Sequence, residues 1–306
     1  MQAVLARTDT QLDSLTRINL QDMLDNLGLG RLRHGRGLIE QAFWGPAQRF
    51  ARTVIAFDQR IGEAGLQTAS AEMLSTYTSG LDLVGAENIP LTGPVLFTAN
   101  HPGMTDSLAC FAAINRSDLR IVANDRPFTR LLPALSRHLI YVPDQAGVRL
   151  SVARNVTRHL NHGGAVFINP AGHIEPDPAC MPGAIESLGG WSDSLALFVR
   201  RVATLRVVPV IVSGVILPSS LRHPLTRIRR VAKDRERVAA TLQLLLHTLR
   251  PAYRPLRVRV AFGPALAASD LISSSQGETD AAAIMRAITG AARRLIENVS
   301  QSHRPA

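Results

Sequence analysis

Cysteine is nearly absent: Cys110 and Cys180 are the only two in 306 residues. Two thiols cannot staple a small secreted scaffold, and their spacing fits no CxxC or zinc pattern, so they read as buried thiols in a reducing compartment. Lysine is scarcer still. Lys233 stands alone, and the net charge of +10 rests almost wholly on arginine. No apolar run reaches the ~20 residues that a membrane-spanning helix needs. The most apolar segment, Val207 to Leu217, is Val/Ile-rich and reads as a buried strand. Met1 to Leu15 carries Asp9 and Asp13 and no long apolar stretch, which does not fit a signal peptide. A G-x-S-x-G elbow is missing, which counts against a serine hydrolase of the α/β-hydrolase kind. Gly28-Leu-Gly30 lacks the third glycine and the preceding strand of a dinucleotide loop. His159 and His162 have no acidic partner placed to complete a metal site. The expected protein is cytoplasmic, or peripheral on the inner face of the cell membrane.

What is present is the material of a folded chain, 46% hydrophobic and 19% charged, long enough for a large core or a main domain with a smaller one. The arginine excess suits phosphate-rich partners, because a guanidinium offers a fork of donors. Anionic lipid, coenzyme A, an acidic carrier protein and nucleic acid all qualify on charge. A codon bias that turns lysine into arginine explains the excess equally well. Nucleic acid has no other support, since no binding motif appears and the basic segments hold few aromatics. The run Arg227 to Arg237 is basic but interleaved with acids, and reads equally as a phosphate contact or a solvated helix face.

Along the chain the pattern changes once. Residues 1–76 read as a helical segment, with Pro46 in the first turn of a helix that aligns Phe50, Val54, Phe57 and Ile61. That stripe either dips into lipid or packs on the remainder of the protein, and packing is the commoner use. Residues 77–306 alternate short Val/Ile/Leu runs with helical stretches, the pattern of an α/β domain with a mixed central sheet flanked by helices. Strands are expected over Leu81–Val84, Val95–Thr98, Leu119–Ala123, Leu139–Val142, Ala165–Ile168, Arg206–Val212 and Arg257–Phe262. Helices are expected over Thr105–Ile114, Phe128–Ser136, Gly147–Asn161, Ser192–Val202, Ile228–Leu249 and Asp280–Val299. Pro170–Gly190, rich in proline and glycine, reads as one long loop.

The segment with chemistry in it is Asn100-His-Pro-Gly-Met-Thr-Asp106. It puts His101 at the carboxyl end of a strand, where α/β folds place their sites, with Asp106 in the first turn of a helix capped by Thr105. A carboxylate on one imidazole nitrogen fixes the tautomer and leaves the other nitrogen free to accept a proton. An unperturbed pKa near ~6.5 suits deprotonation of an attacking hydroxyl. The spacing H-x4-D alone is common, and a histidine that merely bonds a loop would show it too.

The wider segment is specific. Leu81-Asp-Leu-Val-Gly-Ala-Glu-Asn-Ile-Pro-Leu-Thr-Gly-Pro-Val-Leu-Phe followed by Asn100 to Asp106 resembles the glycerolphosphate/lysophosphatidate acyltransferase superfamily, whose motif is N-H-x4-D after an apolar strand. The resemblance implies an acyltransferase of lipid metabolism. It would move a fatty acyl group from acyl-CoA or acyl-carrier protein to a hydroxyl of a lysophospholipid or glycerolphosphate-like acceptor, with no cofactor beyond that co-substrate. It assigns the general base to His101 and its orientation to Asp106.

Later blocks of the resemblance are altered. The second falls on His138 to Asp144, with Asp144 where the family holds a phosphate-binding arginine; Arg126, Arg130, Arg137 and Arg149 are substitutes nearby in sequence. The third falls on Asn169 to Ile174, with Ala171 in place of a glutamate and Ile174 in place of an arginine. Glu175 and His173 are the groups able to stand in. On this basis Gly103, Arg137, Tyr141, Gly172, His173 and Glu175 are expected to contact substrate. The altered blocks also leave room for a catalytically weak lipid- or acyl-carrier-binding protein on the same fold.

Overall fold

The computed structural model describes residues 2–30, 35–143, 149–227, 232–250, 252–253, 255–273 and 280–302. Two long helices come first, α1 (Gln2–Asn26) and α2 (Arg36–Tyr77). They pack antiparallel: Leu20, Met23 and Leu24 meet Ala47, while Leu15 meets Ala51 and Val54. Pro46 lies ten residues inside α2 rather than opening it. A mid-helix proline forfeits one backbone hydrogen bond, but Phe43 before it and the fully buried Ala47 and Ala51 after it hold the helix against α1. The real break comes at Gly65, whose φ of 83° turns the last part of α2 onto the sheet domain. The predicted stripe is consumed by packing. Val54, Phe57 and Ile61 are buried, and Phe50 stacks on Phe128 at 6.4 Å.

A mixed eight-stranded sheet follows, made of β1 (Thr78–Val84), β2 (Val95–Ala99), β3 (Arg120–Asn124), β4 (Leu139–Val142), β5 (Ala165–Ile168), β6 (Arg206–Ser213), β7 (Leu256–Phe262) and β8 (Leu266–Ala267). Its order is β1-β7-β6-β2-β5-β3-β4, with β8 also on β6. β6, β2, β5, β3 and β4 run parallel, whereas β7 and β8 meet β6 antiparallel. The helices are α3 (Met104–Ala113), α4 (Pro127–Arg130), α5 (Pro133–Ser136), α6 (Arg149–Asn161), α7 (Ala184–Ser187), α8 (Ser194–Arg201), α9 (Pro218–Arg222), α10 (Pro224–Arg227), α11 (Ala232–Leu249), α12 (Ala268–Ser273) and α13 (Asp280–Ser302). The helix expected over Phe128–Ser136 is two, because Pro133 has no N–H to donate and bars Leu132 from helical geometry. The loop expected over Pro170–Gly190 holds α7 and a 3₁₀ turn at Leu188–Gly190.

The period-two alternation of strand side chains builds two cores. Val95, Phe97, Ala99, Ala165, Phe167, Val208 and Val210 face α3 and the end of α2. Leu96, Val166, Ile168, Val207 and Ile211 face α6, α8, α12 and α13. Each fully buried Val, Leu, Ile or Phe among them contributes about 1.5–3 kcal/mol. Pro209 is tolerated in central strand β6 because it sits between two partners. β8 pairs only as far as Val207, and β7 begins at Val210.

At the amino ends of the parallel strands, the buried Arg116 ties three loops. Its guanidinium donates to the carbonyls of Pro90 (3.0 Å), Gly93 (3.1 Å) and Gly163 (3.0 Å), and grips Asp118 at 2.8 and 2.7 Å.

Candidate active site

β2 delivers the site. All five of its residues are buried, and Asn100 extends the strand by a side-chain imitation of the ladder: its amide donates to the Val212 carbonyl at 2.9 Å and accepts from the Val212 N–H at 2.7 Å. Pro102 and Gly103 then end the strand. A Cβ on Gly103 would lie 3.3 Å from Val215 Cγ2, so a larger residue here would press on that side chain. α3 opens at Met104 with Gly103 as its N-cap, so Thr105 lies inside the first turn instead of capping it, and its buried hydroxyl has no partner. The cap is supplied by Asp106, whose Oδ2 accepts the Gly103 N–H at 3.1 Å.

Asp106 is 1% exposed and is saturated with donors. Oδ2 also meets His101 Nδ1 at 2.7 Å, while Oδ1 accepts the N–H of Ser107 and, at 3.0 Å, its hydroxyl. An ionised carboxylate can only accept, so Nδ1 carries the proton and Nε2 keeps its lone pair. The His101 side chain is 32% exposed, enough for Nε2 to meet a ligand. The adjacent Asp106 charge raises its pKa above the ordinary histidine value, burial opposes that, and the charge of Glu175 adds to the rise.

Glu175 comes from the loop after β5 and clasps His101 by the backbone. Its carboxylate accepts the His101 N–H at 3.0 Å, and its own N–H donates to the His101 carbonyl at 2.8 Å. Its other oxygen accepts Trp191 Nε1–H at 3.0 Å and the Ser187 hydroxyl at 3.1 Å. At 1% exposure Glu175 is turned into the protein, not toward a ligand, and burial raises its pKa. Two residues on, the fully buried Asp177 accepts four backbone N–H groups, from Ala179, Gly214, Val215 and Ile216, at 2.8–3.0 Å. Asn169 donates to the carbonyls of Ala99 and Asn100 at 3.0 and 3.1 Å. The loops after β2, β5 and β6 are thus cross-braced at one pole.

The remaining candidates separate. Gly172 has a φ of 67° and makes the turn that closes on Asn169, and His173 stands exposed on its rim with Nδ1 2.7 Å from the Ala171 carbonyl. Tyr141 lies three strands from β2 in the sheet, beneath the Arg130 guanidinium (3.8 Å) and bonded to Ser136. Arg130 itself is held by Asp125 at 2.8 Å through two nitrogens. Arg137 does not join the site. The registers put Leu139 level with Phe97, so His101 stands four residues beyond that level and Arg137 two short of it. That is about 20 Å along the strands and about 14 Å across them. Asp144 and the side chain of Arg149 lie outside the described residues, as does part of the Arg227–Arg237 run. Sequence reasoning gave Asn100 no role and missed Asn169, Asp177, Ser187 and Trp191. The Glu175-Pro-Asp177 pair of acids beside two prolines was the one local hint. Among the described residues no cluster suits a metal ion, and no helix is long and apolar enough to cross a membrane.

Compared with known proteins, residues 80–213 match the sequence model of the Acyltransferase family. Among solved structures, the chain is similar to the 1-acyl-sn-glycerophosphate (LPA) acyltransferase PlsC from Thermotoga maritima, with 14% identity over 100% of both chains and a TM-score of 0.46. No curated protein matches.

Proposed function

We propose that the protein is an O-acyltransferase acting on a lysophospholipid or glycerolphosphate-like acceptor, a reading supported by the match of residues 80–213 to the Acyltransferase family. The observation that carries the reading is His101, with Nδ1 committed to buried Asp106 at 2.7 Å and Nε2 open. In the proposed step Nε2 takes the proton of the acceptor hydroxyl as its oxygen attacks the carbonyl carbon of an acyl thioester. The tetrahedral intermediate collapses, the C–S bond breaks, and the thiolate takes the proton back from Nε2. The products are an ester and a free thiol, carried by coenzyme A or by a carrier protein. The step calls on no metal or redox group. Asp106 orients the base and stabilises the imidazolium. Glu175 acts through His101 as a positioning residue. Acceptor chemistry at a membrane surface fits this reading, with the protein peripheral to it.

The test is free-thiol release from palmitoyl-CoA by wild type and His101→Ala, with lysophosphatidate, glycerol 3-phosphate, other lysophospholipids or no acceptor. Release that requires both an acceptor and His101 is expected, with a loss of at least ~10²-fold in the variant. Wild-type turnover by His101→Ala would remove the proposed base. Release without acceptor would make the protein a thioesterase.

A further inference from the structure

The edge of the sheet far from His101 carries a concave feature. Among the described residues β4 pairs only with β3, which leaves its outer edge open there. α6 stands beside that edge and the two form a hollow of about 520 Å³. Pockets for small ligands run roughly 300–1,000 Å³. Arginines enter from both sides. Arg120 and Arg137 come from the strand side, and Arg158 comes from α6 together with His159 and His162; among the described residues no acidic side chain lines the hollow.

Charge here is uncompensated, as it also is at the exposed Arg200, Arg201 and Arg206 among the described residues, but here the arginines share one concave wall. The exposed Arg36, Arg60, Arg130, Arg257 and Arg293 each hold a carboxylate. Among the described residues Arg137 and Arg158 have no such partner. Asp118 is the acid nearby, and its carboxylate is taken by Arg116 at 2.8 and 2.7 Å. The histidines are oriented by the backbone: His159 Nε2 donates to the Asp118 carbonyl at 2.8 Å and His162 Nδ1 to the Arg158 carbonyl at 2.7 Å. The positive field is felt behind the wall, where Arg120 and Arg137 add to the burial that lowers the pKa of His138. Scattered charge is enough to blunt an edge strand against aggregation. A concave wall with guanidinium groups on both sides goes beyond that need.

We propose that this hollow is a binding site for a phosphate-bearing small molecule, a diphosphate or a phosphomonoester, remote from the catalytic pole. Convergent arginine forks favour phosphate over a single carboxylate, since each guanidinium can bond a tetrahedral oxyanion through two N–H groups. Stacking of a base on Tyr141 is not part of the site, because Arg130 covers that ring. Three sources share this chemistry: free phosphate or pyrophosphate, the nucleotide end of coenzyme A, and a glycerophosphate headgroup.

The experiment is calorimetric titration of the full chain at low salt with pyrophosphate, adenosine 3′,5′-bisphosphate and sn-glycerol 3-phosphate. The proteins are wild type, the double variant Arg137→Ala/Arg158→Ala with its fold checked by circular dichroism, and His101→Ala. Wild type and His101→Ala are expected to bind at least one anion with equal affinity, and the double variant to bind it at least ~10-fold more weakly. Preference for the bisphosphate identifies the coenzyme A end, preference for glycerol 3-phosphate the headgroup, and equal binding of pyrophosphate a bare phosphate site. No binding by wild type, or equal binding by the double variant, overturns the proposal. Binding is read without turnover, so an enzyme silent in the acyl-transfer assay leaves the outcome intact.

Discussion

Replacing Glu175 separates geometry from charge at the proposed base. In Glu175→Ala, the His101 N–H and the Trp191 indole N–H lose their acceptor in a site that is 1% exposed, while the Ser187 hydroxyl keeps the Ala184 carbonyl at 2.8 Å. A buried donor left unpaired costs about 1–3 kcal/mol, and a displaced catalytic group can cost ~10²-fold in rate. Glu175→Ala is therefore expected to lose about 2–6 kcal/mol of stability and about 10²-fold in kcat. Glu175→Gln keeps the length and one carbonyl oxygen. Turned with its oxygen toward His101, it holds that N–H and offers its NH₂ to Ser187, which can accept; only Trp191 Nε1–H is orphaned, at about 1–3 kcal/mol. The neutral amide also escapes the cost of burying a charge, which offsets part of that loss. Gln should thus restore most of kcat while moving the acid limb of the kcat/KM profile to lower pH, because one of the charges that raise the His101 pKa is gone. The assay is acceptor-dependent thiol release across pH, alongside urea unfolding of all three proteins. An Ala variant within twofold of wild type, with an unmoved profile, would refute the positioning role.

Further outcomes can be measured on the same protein. The base must be neutral to act, and its pKa is raised by Asp106, so the acid limb of wild type should lie above the ordinary histidine value of about 6.5. The same shift acts on stability with its own sign: a raised folded pKa adds stability that is full below the unfolded value and fades as pH rises through the folded one. The unfolding difference between wild type and His101→Ala should therefore shrink from acid to alkaline pH, and a difference that grows would contradict the His101–Asp106 pairing. Arg116→Ala, which leaves three carbonyls and Asp118 without their donor, should cost about 3–5 kcal/mol by denaturant unfolding. A cost below about 1 kcal/mol would mean that solvent replaces the arginine. Gly214→Ala should be nearly as damaging, since φ is 76° there and a Cβ would sit 2.5 Å from the Arg257 carbonyl oxygen. Unchanged thermal unfolding of that variant would argue against the tight approach of β6 to β7.

What the sequence reveals of this protein is what is local. The mixed sheet with flanking helices follows from Val/Ile runs alternating with helical periods, and the seven longer strands fall within a few residues of their patterns. His101 and Asp106 come together because five residues of strand end, Pro-Gly break and first helical turn bring them there. Glu175 shows the boundary of that reading. Its spacing marked an acid near the site, but its orientation toward the backbone of His101 depends on Trp191 and Ser187, whose approach is decided by how the following loop packs. Arg137 shows it more sharply. Proximity in sequence suggested a substitute phosphate ligand, yet Arg137 precedes a strand parallel to β2 and so stands at the opposite pole. The order β2-β5-β3-β4, which has no local pattern, sets it three strands away. Pro46 misled for the converse reason: a proline usually opens a helix, and here tertiary contacts from α1 override that preference.

The bond between Trp191 and Glu175 gives the protein an optical gauge of its own. Of its two tryptophans, Trp44 lies partly open beside Arg17, whereas Trp191 is 4% exposed with its indole N–H on the carboxylate that clasps His101. Indole emission depends on the charge and dipoles at that nitrogen, so light from Trp191 follows the ionisation of Glu175 and any slackening of the clasp. In a Trp44→Phe background, a fluorescence titration would read the state of the catalytic loop without substrate, label or turnover.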